Sequence, residues 1–116
     1  MQDASEFVPL SSATLHILLS LAGEDRHGYG IMQEVARQSE GQYKLGPGTL
    51  YDNLQKLLER RLVLPVNRRP CDDDPRRRYY RLSPLGQAVL SAEVGRLENV
   101  VREARLRLNS AKPRRA

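Results

Sequence analysis

Apolar residues at helical spacing first appear shortly after Pro9. Leu15, Leu18, Leu19 and Ala22 recur at i, i+3, i+4 and i+7, which predicts a helix that ends near Gly23. A second, partly apolar stripe consists of Leu10, Thr14, Ile17 and Leu21. A helix that is apolar on two sides must be covered on two sides, so we expect one stripe in the core and the other against a partner. Residues 1–8, before this helix, are expected to form a flexible arm.

Two more helices are predicted between residues 28 and 60. The glycines of the His27-Gly28-Tyr29-Gly30 segment predict a turn, and the apolar side chains of the helix after it are Ile31, Met32, Val35 and Ala36. Residues 43–45 are expected to add a very short strand. The third helix opens at Pro47 and Gly48, because proline suits the first turn of a helix. Its core stripe consists of Leu50, Leu54, Leu57 and Leu58.

A β-hairpin is predicted after the third helix. Residues 62–66 are apolar and β-branched, and Pro65 confines them to an edge strand because proline cannot donate to a sheet ladder. Residues 78–82 alternate as a second strand, with Tyr80 and Leu82 on one face. Residues 67–77 form the loop between the two strands.

The last helix begins at Ser83-Pro84, where the serine can cap and the proline can start it. An apolar seam follows at spacings of 4, 3, 4, 3 and 4: Leu90, Val94, Leu97, Val101, Ala104 and Leu108. This seam could pack back on its own domain. We favour a dimer interface, with Leu10, Ile17 and Leu21 of the first helix beside it, because the helix would project past a small three-helix core. The basic tail from residue 109 to 116 is expected to be disordered.

These elements predict a mainly α fold with a small β-hairpin, the arrangement of a winged helix-turn-helix domain. Residues 9–83 would form the DNA-binding domain and residues 84–108 the C-terminal dimerisation helix. In such domains the third helix enters the major groove and the hairpin reaches the neighbouring backbone.

Charge is distributed unevenly along the chain. Residues 1–40 carry two basic and six acidic side chains, whereas residues 41–81 carry ten basic and five acidic ones. This asymmetry favours a polyanionic partner, although a solvated surface would explain the charge alone equally well. The single cysteine precludes a disulfide within the chain, and no apolar run is long enough for a membrane span. We therefore expect a cytoplasmic protein that needs no metal or other cofactor, and we find no catalytic constellation.

The third helix carries the side-chain types that DNA recognition requires. Gly48 and Thr49 are small enough for the backbone to approach a duplex, and the Tyr51 hydroxyl suits a phosphate oxygen. Asn53 and Gln55 can read base edges, and Lys56 can meet guanine or phosphate. Asp52 is unfavourable beside a polyanion unless it accepts from a cytosine amino group or holds an arginine. The alternative is an ordinary amphipathic surface helix.

The hairpin is rich in arginine, whose guanidinium groups suit phosphates: Arg68, Arg69, Arg76, Arg77, Arg78 and Arg81. Three aspartates, residues 72–74, share its tip and are better explained by a turn than by a metal site. Cys71 in the same loop is better explained as incidental than as a redox sensor.

Several of these motifs together resemble the PadR family of bacterial transcriptional regulators, and the resemblance covers about residues 10–108. The matching segments are Leu10 to Leu21, His27-Gly28-Tyr29, Gly48-Thr49-Leu50-Tyr51, Arg78-Tyr79-Tyr80-Arg81-Leu82-Ser83 and Gly86. The resemblance implies a dimeric repressor on a near-palindromic operator, in which the last helix of each subunit crosses the first helix of the other.

The resemblance also implies which residues face double-stranded DNA: Tyr29, Gly48, Thr49, Tyr51, Asn53 and Lys56, with the hairpin arginines beside them. Asp52 departs from the family, which often has a basic or neutral residue there. The chain has no tryptophan, so effector stacking between tryptophans is not expected. Two rival functions are a winged-helix adaptor that binds proteins instead of DNA and a sensor that captures a small-molecule effector at the dimer seam. An enzyme is a more distant third.

Overall fold

The computed structural model describes residues 3–67 and 77–110. Within these residues the elements are a 3-10 helix (Ala4–Phe7), α1 (Ser12–Leu21), β1 (Arg26–His27), α2 (Gly28–Gln38), α3 (Pro47–Glu59), β2 (Val63–Val66), β3 (Tyr79–Leu82) and α4 (Pro84–Ser110). The mainly helical fold with a small sheet, predicted from the sequence, is confirmed. No helix among the described residues combines the length and the apolar character that crossing a bilayer requires.

The sheet has three antiparallel strands in the order β1-β3-β2. Pro65 lies in the edge strand β2, as predicted, and pairs in register with Tyr80 of the central strand. The third strand was misplaced by the sequence prediction, because residues 43–45 form no strand and Arg26–His27 pairs with β3 instead. Two residues are too few to show an alternating pattern, and Leu45 is apolar because its side chain is buried in the core.

The core lies where α1, α2, α3 and the start of α4 meet the sheet. Its most deeply buried apolar side chains include Ile17, Leu18, Ile31, Val35, Leu50, Leu54, Val63 and Val89. The leucine stripe of α3 therefore faces inward as predicted. The two stripes of α1 do not divide between core and partner as expected, because α1 packs against α2, α3, α4 and β3 at once. Ile17 and Leu21 are buried in their own chain, while Leu19 is exposed.

The junction between β3 and α4 is fixed by close backbone contacts. The Ser83 hydroxyl oxygen accepts a hydrogen bond from the Gly86 amide at 2.9 Å, which confirms the predicted cap, and the Ser83 hydroxyl donates to the Arg61 carbonyl at 2.7 Å. A Cβ on Gly86 would lie under 3.0 Å from the Leu62 carbonyl oxygen, so only glycine allows this approach. The direction in which α4 leaves the domain is therefore set at its first turn.

The described residues 4–8, which belong to the segment predicted as a flexible arm, pack against α4 and the core. The 3-10 helix contacts α4, and Phe7 and Val8 are partly buried against the core. Glu93 of α4 is buried and forms two 2.8 Å hydrogen bonds with the Arg96 guanidinium. Arg96 lowers the pKa of Glu93, burial opposes this shift, and a hydrogen bond from the Leu10 backbone lowers it further. A buried carboxylate thus links α4 to the residues that precede α1.

The second half of α4 extends beyond the core. Every residue from 98 to 110 is exposed. The whole of α4, with its 27 residues, spans about 40 Å. The helix runs two residues past the predicted end at 108. Of the predicted tail, residues 111–116 lie outside the described part of the chain.

Candidate nucleic-acid interface

The solvent side of α3 presents small and polar residues. Exposed positions on the helix include Gly48, Thr49, Asp52, Gln55, Lys56 and Glu59. A Cβ added to Gly48 would meet no atom within 4 Å, so the backbone at the first turn is open to solvent. The structure therefore places Gly48 and Thr49 where the sequence predicted a close approach to a duplex.

Tyr51 joins this surface to the N-terminus of α2. Its hydroxyl lies so close to Gly28 that a Cβ there would be under 3.0 Å away. His27 caps α2 by accepting the Gly30 amide at its Nδ1, 3.0 Å away. Because histidine is not among the preferred capping residues, only a turn was predicted here from the sequence. Neither the cap made by His27 nor the contact between Tyr51 and Gly28 was predicted.

A small open cavity of about 330 Å³ lies between α2, α3 and the sheet. Its lining consists of His27, Gly28, Tyr29, Tyr51, Arg77, Arg78 and Tyr80. Tyr29 and Tyr51 are about half exposed, and the Arg77 Nη1 atom is 3.1 Å from His27 Nε2. Burial, assisted by Tyr51 and opposed by Arg78, raises the pKa of Tyr80 above its usual value, so its hydroxyl is uncharged at neutral pH. Phenol hydroxyls and guanidinium groups around one cavity suit an oxyanion such as a phosphate.

Lys56 and Asp52 form a solvent-exposed pair on α3. The Lys56 Nζ atom is 3.7 Å from an Asp52 carboxylate oxygen, and both side chains are more than half exposed. Such i,i+4 pairs contribute about 0.3–0.5 kcal/mol, so the lysine can exchange this partner for a phosphate at little cost.

Asn53, which the sequence predicts to read a base edge, forms hydrogen bonds within the protein. Its Oδ1 accepts from the Thr14 hydroxyl at 3.2 Å, and its Nδ2 donates to the Thr49 carbonyl at 2.8 Å. The side chain is partly buried between α1 and α3. Both polar atoms of the Asn53 amide are therefore engaged within the protein.

The hairpin arginines fall into three groups. Arg77 and Arg78 line the cavity and are exposed. Arg81 turns away from it and forms bidentate hydrogen bonds of 3.0 and 2.8 Å with Asp25, which raise the pKa of its guanidinium. The remaining predicted contacts, Arg68, Arg69 and Arg76, lie outside the described residues, as do Cys71 and the aspartates at 72–74. Within the described ranges, no group of three or more His, Cys, Asp or Glu residues is placed to hold a metal ion.

The residues predicted at a dimer interface divide along α4. Leu90 is buried in its own chain, as are Ile17 and Leu21 of α1, so these three side chains expose little surface. Leu10 is partly buried against the core. Exposure rises beyond Leu90: Val94 is 41% exposed, Val101 46% and Leu108 76%, with Leu97 partly covered and Ala104 exposed.

Comparison with known proteins identifies the family. A model described as the transcriptional regulator PadR-like family matches residues 17–92. The chain belongs to this PadR-like family. The transcriptional regulator Rv3488 of Mycobacterium tuberculosis is 36% identical over 93 residues, which cover 80% of this chain and 82% of that protein.

Solved structures agree with this membership. RosR of H. salinarum aligns with a TM-score of 0.61 at 27% identity, over 84% of this chain and 79% of that one. A PadR family transcription regulator from hypervirulent Clostridium difficile R20291 aligns with a TM-score of 0.65 at 21% identity, over 86% of this chain and all of that one. The protein is therefore a PadR-like transcriptional regulator with a winged-helix fold, a class that acts by binding DNA.

Proposed function

We propose that this PadR-like protein is a sequence-specific repressor that binds a near-palindromic operator as a homodimer. The observation that supports the proposal most directly is that two exposed surfaces lie next to each other. The open first turn of α3 lies beside the cavity formed by Tyr29, Tyr51, Arg77 and Arg78. One surface suits base edges and the other suits the phosphates that flank them.

In this proposal α3 enters the major groove by its N-terminal half. Gly48 and Thr49 let the backbone approach the bases, and Lys56 reaches guanine or phosphate. The cavity beside Tyr51 receives a backbone phosphate, and Arg77 and Arg78 supply the charge. Gln55 is exposed on the same side of α3 and replaces Asn53 as the amide that reads a base. Asp52 selects for cytosine by accepting its amino group.

The homodimer is supported by the apolar strip on the second half of α4. Val94, Leu97, Val101, Ala104 and Leu108 continue the side of the helix that is buried in its first half. In the described part of the chain, Leu97 is only partly covered and the other four are exposed. A second copy of the same helix can bury such a seam, because apolar residues at heptad spacing on two identical helices pack between one another. Two recognition helices would then enter successive major grooves about 34 Å apart, which gives the operator its near two-fold symmetry.

Repression is the simplest regulatory consequence of this binding. A dimer with a helix in each of two successive grooves occupies one face of the duplex and excludes polymerase from the same DNA. The proposal is tested by in vitro transcription from a promoter that carries the selected site. Added protein should reduce the transcript, and an increase would show an activator.

Selection of bound duplexes from a random pool tests sequence-specific binding, symmetry and spacing together. We expect a two-fold symmetric motif with half-site centres 10–10.5 base pairs apart. Affinity for the selected duplex should fall steeply with salt, with a slope of about −0.9 for each phosphate contacted. A pool without enrichment, at low as well as high salt, would contradict the proposal.

A protein-binding adaptor is the second candidate, and the acidic residues Asp52 and Glu59 on the exposed side of α3 favour it. The absence of duplex enrichment, together with a stable complex with a basic protein, would support this alternative.

An effector site is a separate proposal that is compatible with repression. An open cleft of about 740 Å³ lies between the end of α1, β3 and α4, with Leu21, Leu90 and Val94 among its lining residues. Melting-temperature shifts over a panel of small molecules would test it, and the absence of any shift would count against an effector that binds in this cleft.

A further inference from the structure

We propose that Asn53 is a positioning residue for DNA recognition, which acts through Thr14 of α1 and does not itself read a base. The inference rests on the proposed function, because it concerns how α3 is held for groove insertion. It assigns a role in recognition to Thr14, a residue on another helix.

A continuous chain of hydrogen bonds leads from the start of α1 to the first turn of α3. The Ser11 hydroxyl donates to Thr14 Oγ1 at 3.0 Å, and Ser11 Oγ accepts the Thr14 amide at 3.2 Å. The Thr14 hydroxyl, whose oxygen accepts from Ser11, donates its own hydrogen to Asn53 Oδ1 at 3.2 Å. Asn53 Nδ2 then donates to the Thr49 carbonyl at 2.8 Å. Each donor in the chain has an acceptor, so the orientation of the Asn53 amide is fixed.

The position of this chain explains why it matters for recognition. Thr49 lies in the exposed first turn of α3, and its carbonyl is held by the amide that Thr14 orients. Apolar packing of the α3 leucines also restrains the helix, but it permits sliding along the helix axis more readily than directional bonds do. Loss of the chain should therefore let the first turn shift relative to the rest of the domain. A misplacement of that turn weakens all of its contacts at once.

A base-reading role would use the same two atoms. An asparagine that reads adenine needs Oδ1 and Nδ2 together, one to accept and one to donate. Here both are engaged within the protein, in a partly buried position. Asn53 would have to break both bonds and turn outward before it could read.

The anchoring end of the chain is itself well fixed. Ser11 caps α1, and the residue before it, Leu10, hydrogen-bonds through its backbone to the buried Glu93 of α4. The chain thus connects α4 to α3 by way of the start of α1. This geometry makes Thr14 a fixed point against which α3 is aligned.

Four variants measured against the selected duplex and a scrambled duplex test the proposal: Thr14→Val, Thr14→Ser, Asn53→Ala and the double variant Thr14→Val/Asn53→Ala. Thr14→Val keeps the shape of the side chain but removes its donor, whereas Thr14→Ser keeps the hydroxyl and serves as the matched control. We expect Thr14→Val and Asn53→Ala each to lower affinity for the selected duplex by roughly three- to tenfold, in line with one lost hydrogen bond. The double variant should lose no more than either single one, and Thr14→Ser should bind like the parent.

The other outcomes overturn the proposal in distinguishable ways. If Asn53→Ala relaxes preference at one base pair and Thr14→Val binds normally, Asn53 is a reader. If both variants melt earlier but bind the selected duplex with unchanged affinity where folded, the bonds serve only stability. If the parent protein itself shows no preference for any duplex, the proposed function fails and this inference fails with it, whereas a parent that binds normally beside unaffected variants overturns this inference alone.

Discussion

The hydroxyl of Tyr51 lies against Gly28, where a β-carbon would come closer than 3.0 Å. The contact brings the side of α3 that carries the predicted phosphate contact against the capped first turn of α2. The two helices form one surface here only because residue 28 has no side chain. The position of a candidate DNA contact on one helix is therefore determined by a glycine on another.

Gly28→Ala should weaken DNA binding while the fold is kept. The three atoms nearest to the added methyl group all belong to the far end of the Tyr51 side chain, which can turn away, so we expect the domain still to fold. The displaced hydroxyl should lose its proposed phosphate contact, at a cost of about 1.5 kcal/mol or roughly tenfold in affinity. Binding of the selected duplex in a gel shift, with circular dichroism to confirm folding, measures the effect.

The same substitution in a Tyr51→Leu background provides the control. If the effect acts through the tyrosine, Gly28→Ala should cause little further loss once the hydroxyl is gone. Fully additive losses would show that residue 28 affects binding by another route.

Gly48→Ala should leave the fold at least as stable as the parent while weakening DNA binding. Alanine is favoured over glycine within a helix by up to about 1 kcal/mol, and a Cβ at this position meets nothing in the protein. We therefore expect equal or greater stability towards urea. Binding should nevertheless fall several-fold, because the methyl group stands between the backbone and the duplex.

Gly95→Ala on α4 is the matched variant for this comparison, since its Cβ also meets nothing within 4 Å and it lies away from α3. It should gain stability without losing affinity. Normal binding by Gly48→Ala would place the first turn of α3 away from the DNA.

The sequence predicted those parts of the fold in which one periodic pattern meets one surface. The leucines of α3 recur on a single side, where Leu50, Leu54 and Leu57 are buried and Leu58 is partly buried. Pro65 identified its strand as an edge strand. Prediction failed where the packing of neighbouring elements determines which side chains are buried. Ile17 and Leu21 are apolar because four elements surround α1. The spacing of apolar residues along a helix does not show how many elements pack against it.

The candidate site was predicted less completely for the same reason. A polar residue on the flank of a helix, such as Asn53, has the same sequence pattern whether it faces solvent or a neighbouring helix. The cap made by His27 and the contact between Gly28 and Tyr51 depend on the packing of α2 on α3. No spacing within either helix encodes that packing.

Glu34 on α2 should make stability depend on pH in the acid range. Hydrogen bonds of 3.0 and 2.7 Å from the Arg37 guanidinium are the main reason that its pKa falls from 4.5 to about 2, with Arg26 and Gln38 contributing and burial opposing. Because the folded pKa is below the unfolded one, the ionised carboxylate stabilises the fold above pH 4.5, and this contribution is lost as the pH falls towards 2. Arg37 is largely exposed, so we expect only about 1 kcal/mol.

Urea unfolding of the parent and of Glu34→Gln between pH 2 and pH 7 measures this contribution. The difference in unfolding free energy should be constant above about pH 5.5 and shrink between pH 4.5 and 2. Glu103→Gln removes a carboxylate from the exposed pair with Arg107 and should change stability by less than about 0.5 kcal/mol. A constant difference between parent and Glu34→Gln across the whole range would contradict the assignment.

Val101→Glu should dissociate the proposed dimer without unfolding the protomer. Val101 is 46% exposed in the single chain, so a charged side chain there disturbs no core contact. In the dimer it would be buried in the apolar strip of α4, where an unpaired carboxylate costs several kcal/mol, so the dissociation constant should rise at least a hundredfold. Sedimentation equilibrium measures the change directly.

Leu106→Glu is the control that distinguishes the strip from general effects of added charge. Leu106 is on the same exposed half of α4 and is 59% exposed. Five residues separate it from Val101, which places it roughly 140° around the helix axis and outside the heptad seam. The dimer should survive this change. Because a near-palindromic operator requires both subunits, Val101→Glu should also abolish the preference for two half-sites over one, and Leu106→Glu should retain it. Equal behaviour of the two variants would mean that the second copy, if there is one, binds elsewhere on the domain.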